Sequence, residues 1–342
     1  MDVDVVVVKD EESLQISHLV DNRIQSASSP LSLEDPKVPS TTSSRKFYLF
    51  MRSRLGSEEL TSFNKRFMRT FGKRLGLEEF TSLKTWRATF AELLGMATAC
   101  FAMDVMVVGT LETEKESPRL LMSILAAVII TIMLLTTFPI SGGHLNPAVS
   151  FCAALMGLIS VSRAVIYIVA QCAGAVFGAL AFKAVVSNQI GEKYALGGCR
   201  LGVIVQGPEG PTTVGIGTSQ GLWLEILSMF FVLFPAGSIR FIGGPALGCG
   251  PVFSFSIVGI MAGLAIYVTV AVTQVKGYSG AGLNPARCFG PAIVRGGHMW
   301  DRHWVFWVGP AIASVAFYLY TKIIPSEHFY ANCISLCPQS RV

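Results

Sequence analysis

Charge is what this sequence has least of. Asp, Glu, Lys and Arg supply only 14% of the 342 residues, whereas apolar types supply 51%, a balance that excludes an ordinary water-soluble globule. The N-terminus has no basic start backed by an apolar core, since Val5–Val8 is short and follows Asp2 and Asp4, so no cleaved signal peptide is expected. The five histidines do not stand at metal-ligand spacing, and the eight cysteines form no CxxC or Cys/His ligand pattern. No nucleophile, base and orienting group fall together in one segment. No metal, cofactor, nucleic-acid partner or enzymatic activity is therefore expected.

What is present is a set of long apolar runs: Phe90–Thr110, Leu120–Phe138, Ala164–Val186, Leu222–Ser238, Val252–Val275 and Trp304–Tyr320. Each approaches the roughly 20 residues that a helix needs to cross the hydrocarbon core, so six spans follow. An even number puts both termini on one side. Arg45 to Arg87 holds eleven Lys or Arg against four Glu, while the gap after Thr110 carries Glu112, Glu114 and Glu116 against Lys115 and Arg119. The positive-inside rule then makes both termini cytoplasmic.

Residues 1–44 mix Ser, Pro and acidic residues without periodicity, and a disordered tail is expected there. Residues 45–85 are basic with interleaved Phe, Tyr and Leu; either an amphipathic segment on anionic membrane lipid or a tail that only fixes orientation fits. The expected organisation is a tail over 1–85, a membrane domain over 86–324 and a short cytoplasmic tail over 325–342. Cys100, Cys152 and Cys172 fall in or beside apolar runs and read as packing residues. Cys199 lies in a loop placed outside the cell, where an intermolecular disulfide and a free thiol are both open.

The membrane part repeats itself. Phe90-Ala91-Glu92-Leu93-Leu94-Gly95 opens one half and Leu222-Trp223-Leu224-Glu225-Ile226-Leu227 the other, and each half runs through a second span into Asn146-Pro147-Ala148 or Asn284-Pro285-Ala286. Three spans per half is an odd number, so the second copy lies upside down relative to the first. Inverted repeats place a transport path at their interface near the midplane.

Each tripeptide follows a Gly-rich turn, Ser141-Gly142-Gly143 or Gly280-Ala281-Gly282. Asn is a good N-cap and Pro suits the first helical turn, so each motif starts a helix. The apolar residues that follow are too few to cross: Ala148 to Gly157 rises only about 15 Å. Two half-helices entering from opposite faces would meet at the middle, and backbone reversing at that depth must be buried or line a water-filled cavity. The Asn amides would donate to a passing oxygen, and two positive helix ends would oppose protons and cations. The fold class expected is an all-α membrane protein with six spans and two re-entrant half-helices.

Both motifs, the two early glutamates and His303-Trp304-Val305-Phe306-Trp307-Val308-Gly309-Pro310 resemble the aquaporin, or major intrinsic protein, superfamily over about residues 86–324. The resemblance implies a homotetramer with one pore per subunit, and implies that Glu92 and Glu225 brace the re-entrant loops. It implies that Arg287, whose counterpart after the first motif is Val149, lines a narrow constriction. Counting back from the motif asparagines gives Ala126, Val272 and Ala281 as its neighbours there. These are small or apolar, where water-selective members have an aromatic residue and a His. Such a ring implies passage of small neutral solutes such as glycerol, urea, boric acid or hydrogen peroxide.

Asn284-Pro285-Ala286-Arg287-Cys288, together with Leu196-Gly197-Gly198-Cys199, resembles the plant subfamily of uncategorised X intrinsic proteins, which implies a plasma-membrane channel of broad solute range. The first motif is a full Asn-Pro-Ala, where that subfamily often varies it, so water flow is also expected. Cys288 reads either as an oxidation or mercury target beside Arg287 or as a packed residue. Asp104 lies near the outer end of the first span, within reach of solvent. The leading expectation is a passive channel for small neutral solutes and some water. A mainly water-selective channel, a secondary transporter and a structural or junctional protein using the Ser187–Ser219 loop are the alternatives.

Overall fold

The computed structural model describes residues 72, 74–113, 116–208, 210–237 and 250–323. The expectations for residues 1–71 and 325–342 fall outside them. Among the described residues, six helices are long and apolar enough to cross a membrane, and they fall into two sets. The first holds α1 (Leu83–Thr113), α2 (Pro118–Ser141), the short α3 (Pro147–Leu155) and α4 (Val161–Val185). After α5 (Asn188–Lys193) and a hairpin of β1 (Gly202–Gly207) and β2 (Gly210–Gly215), the second set repeats the order. It comprises α6 (Thr218–Gly237), α7 (Pro251–Thr273), the short α8 (Pro285–Arg295) and α9 (Val305–Ile323).

The pairings are those of an inverted repeat. In the first set α1 packs on α2 and α4; in the second α6 packs on α7 and α9; α2 meets α7 between the sets. Each short helix also crosses over, α3 lying against α9 and α8 against α4. This exchange ties the halves together around one central space.

Lipid tails are as apolar as leucine, so the spans associate through close backbone approach rather than burial from water. On α4, a Cβ at Gly174 would land on the Leu93 carbonyl oxygen of α1, and one at Gly178 on that of Ala97. Large apolar side chains face outward instead, among them Phe90, Val169, Phe177 and Leu227, as lipid-facing positions require.

Several spans begin before their apolar runs, α1 at Leu83 rather than Phe90 and α6 at Thr218 rather than Leu222, because backbone hydrogen bonding continues the helix into its polar flank. The hairpin is the exception to the all-α expectation. It pairs antiparallel from Gly202↔Gly215 to Gly207↔Gly210 and occupies the loop that the sequence leaves without regular structure.

The Gly174 contact gives a direct test. Gly174→Leu should cost about 1–3 kcal/mol or more by overpacking and lower the thermal midpoint of the detergent-solubilised protein by several degrees. Gly109→Leu, whose Cβ meets nothing within 4 Å, should melt close to wild type.

Candidate functional site: the junction of the two half-helices

Asn146 and Asn284 cap the two short helices. The Asn146 Oδ1 accepts from the Ala148 N–H at 2.9 Å, and the Asn284 Oδ1 from the Ala286 and Arg287 N–H groups at 3.1 and 3.3 Å. Pro147 and Pro285 occupy the first helical turn, where a missing N–H costs nothing. With 9 and 11 residues, the helices rise about 14 and 17 Å. Placed end to end, they make one crossing.

Their tips are stitched to each other. The Asn146 Nδ2 donates to the Leu283 carbonyl at 3.0 Å, and the Asn284 Nδ2 to the Leu145 carbonyl at 2.8 Å. Both leucines are left-handed, with φ of 47° and 59°, a conformation costing about 1–2 kcal/mol for a residue with a Cβ. Each amide nitrogen carries two protons, so one on each remains for a solute; that of Asn284 faces only the weak acceptor Met96 Sδ, 3.8 Å away.

Glu92 and Glu225, both wholly buried, hold the strained turns. Glu225 accepts the Gly282 N–H at 2.6 Å on one oxygen and the Leu283 N–H at 3.1 Å on the other. Glu92 does the same for His144 and Leu145, at 3.0 and 2.6 Å. It also accepts from the Ser141 hydroxyl and, at 2.8 Å, from the Gln171 amide. A buried backbone N–H left without a partner costs about 1–3 kcal/mol, so satisfying these donors is comparable with the cost of the leucines. His144 is a structural member of this network, its Nδ1 lying 3.1 Å from the Ser150 hydroxyl.

A cavity of about 130 Å³ runs past the junction. Its wall is mostly apolar, with Ile129, Ile130 and Met133 from α2 and Phe255, Val258, Ala262 and Ile266 from α7; Asn146, Asn284 and Arg287 supply its donors. The counted neighbours of Arg287, Ala126, Val272 and Ala281, are not among the residues lining this cavity. Val272 is 72% exposed and outside this wall, because six residues beyond Ile266 turn it about 240° around α7. Ala126 is one turn before Ile130 on α2 and fully buried. Ala281 is buried too, its N–H donating to the Thr269 hydroxyl at 3.1 Å.

Two expectations are corrected. Cys199 forms a disulfide with Cys288 of the same chain, so it is neither a free thiol nor an intermolecular link, and Cys288 is not an exposed reactive thiol. The loop carrying Cys199 lies over α8, which brings the two together. Asp104 does not reach solvent: it is fully buried, with Oδ1 3.2 Å from the Arg287 Nη1. The signal for this pair was available, because an acid within an apolar span needs a partner. At the end of α5, Lys193 lies 2.8 Å from Glu112, and that hydrogen bond raises the lysine pKa.

The bracing of the second turn is testable through Glu225→Gln. The amide turns an N–H toward one of two fixed backbone N–H groups, so about 1–3 kcal/mol should be lost, read as a lower thermal midpoint in detergent.

Comparison with known proteins finds relatives over most of the chain. Residues 79–320 match the family model described as Major intrinsic protein. Aquaporin PIP1-1 of Arabidopsis thaliana is 34% identical over 257 residues, covering 72% of this chain and 82% of that protein. Aquaporin-4 of Homo sapiens is 33% identical over 234 residues, covering 67% of this chain and 64% of its own length. The aquaglyceroporin from Plasmodium falciparum superposes with a TM-score of 0.55 at 19% identity, over 69% of this chain and 95% of that one, a likeness of fold.

Proposed function

This chain belongs to the major intrinsic protein family, whose members are membrane channels and not enzymes, and from that premise we propose that it passively conducts small uncharged solutes together with some water. The observation that carries the reading is the cavity wall: apolar side chains around most of its circumference, with Asn146, Asn284 and Arg287 as hydrogen-bond donors. Glycerol, urea, boric acid and hydrogen peroxide are small enough and carry oxygens that such donors can grip. An apolar wall offers little to a bare ion in exchange for its hydration shell.

Charge selectivity in this reading comes from the junction. Each helix N-terminus carries about half a positive charge, and here two point at one place with the Arg287 side chain nearby. A cation or a proton relay meets that potential; a neutral molecule does not. The single remaining N–H on each Asn can hold a water oxygen, which breaks a continuous chain of donor-to-acceptor waters.

The same proposal includes a homotetramer with one pore per subunit, both termini in the cytoplasm by the distribution of Lys and Arg, and residence in the plasma membrane. The last rests on the resemblance of the Cys288 and Cys199 motifs to the uncategorised X intrinsic proteins.

Stopped-flow light scattering on proteoliposomes separates the solute ranges. Fast glycerol entry is expected, suppressed several-fold by Ile266→Trp and left near wild type by Val272→His. Fast water flux without glycerol entry would replace this reading with a mainly water-selective channel.

A further inference from the structure

Asp104 has a place in the site that the proposed filter does not by itself require. It sits behind Arg287, one residue from the wall residue Met103 but outside the wall itself. Its Oδ1 is 3.2 Å from the guanidinium, and its Oδ2 lies 3.6 Å from the Cys100 thiol. The other side of the guanidinium donates from Nη2 to the Gly197 carbonyl. Arg287 is thus held between a carboxylate of α1 and a carbonyl of the loop before β1.

That loop segment is itself built under constraint. Ala195, Leu196 and Gly197 are consecutive left-handed residues, with φ of 51°, 50° and 72°, although the left-handed region is ordinarily visited by single residues. The segment lies directly on Asp104: a Cβ at Gly197 would stand 3.1 Å from the Asp104 Cα and 3.4 Å from its Oδ1. Two residues on, the Cys199–Cys288 bridge fastens the loop to the residue following Arg287.

We infer that Asp104 is a positioning residue for solute selection, holding the Arg287 guanidinium back against the loop and countering its charge so that the passage stays wide. The inference rests on the filter reading of Arg287. A buried arginine that loses its counter-charge is strongly disfavoured where it stands, and the nearest water is in the lumen. Without the carboxylate, the guanidinium swings toward that water and narrows the path. Water is small enough to pass such a constriction, whereas a three-carbon polyol is hindered.

The test measures the glycerol-to-water permeability ratio in proteoliposomes for wild type, Asp104→Asn, Arg287→Ala and the double variant. Asp104→Asn should lower the ratio several-fold, mainly through glycerol, and the same change made in the Arg287→Ala background should leave the ratio where Arg287→Ala alone sets it. A purely structural role would lower both permeabilities together and in both backgrounds, which would overturn the inference, as would an unchanged ratio in the single variant. If Arg287→Ala itself leaves the ratio unaltered, the filter reading fails and the role of Asp104 with it; if Arg287→Ala shifts the ratio but Asp104→Asn does not, only the role of Asp104 fails. Should Asp104→Asn alone not assemble, Asp104→Glu, which keeps the charge but shifts it, decides. A glycerol-to-water ratio changed by Asp104→Glu and not by the same change in the Arg287→Ala background supports the inference, and an unchanged ratio or a parallel loss of both permeabilities overturns it.

Discussion

Two chain reversals at the middle of a bilayer leave backbone N–H groups where no lipid can accept from them, and each such group would cost several kcal/mol if left alone. Here the reversals are satisfied by buried carboxylates, Glu225 taking Gly282 and Leu283 and Glu92 taking His144 and Leu145. The carboxylates hold Leu145 and Leu283 in their left-handed turns, and the turns aim both leucine carbonyls at the opposing asparagines. Remove the bracing, and the turns that aim those carbonyls at the asparagines lose their anchor.

The wider architecture serves that junction. Glycines on α4 allow α1 to approach closely, which carries Glu92 and Asp104 to fixed heights along one helix. The exchange of the short helices, α3 onto α9 and α8 onto α4, means that neither half closes without the other. The two halves differ after the motifs: Arg287 stands at the wall after the second, and Val149 after the first. The disulfide from Cys199 to Cys288 and the ion pair from Asp104 both converge on that single arginine from different elements.

How much of this the sequence discloses depends on whether a residue's role is local. The six spans are legible because length and apolarity are local properties, and the half-helices because Asn-Pro after a Gly-rich turn encodes a helix start. An acid early in each apolar run points to a buried partner. The Cys199–Cys288 bridge is not legible from the residues, since it spans a separation of 89 residues and depends on how a loop folds over a helix. Nor is the inward face of α7, because a helix that is apolar on all sides offers no stripe to orient it; counting through the 274–283 loop gives Val272, whereas the α7 residue nearest that end in the cavity lining is Ile266.

The central claim is that the junction passes neutral molecules while its two helix ends and Arg287 stop charge. The measurement that bears on it most directly follows osmotic volume and internal pH together in the same proteoliposomes, loaded with a pH-sensitive dye and placed under a proton gradient. Protein-dependent acceleration of water or glycerol flux with no acceleration of pH decay is the result predicted. A pH gradient that collapses in proportion to the protein's own solute flux would contradict the account, since the paired asparagines and opposed helix ends would then not be interrupting the water chain.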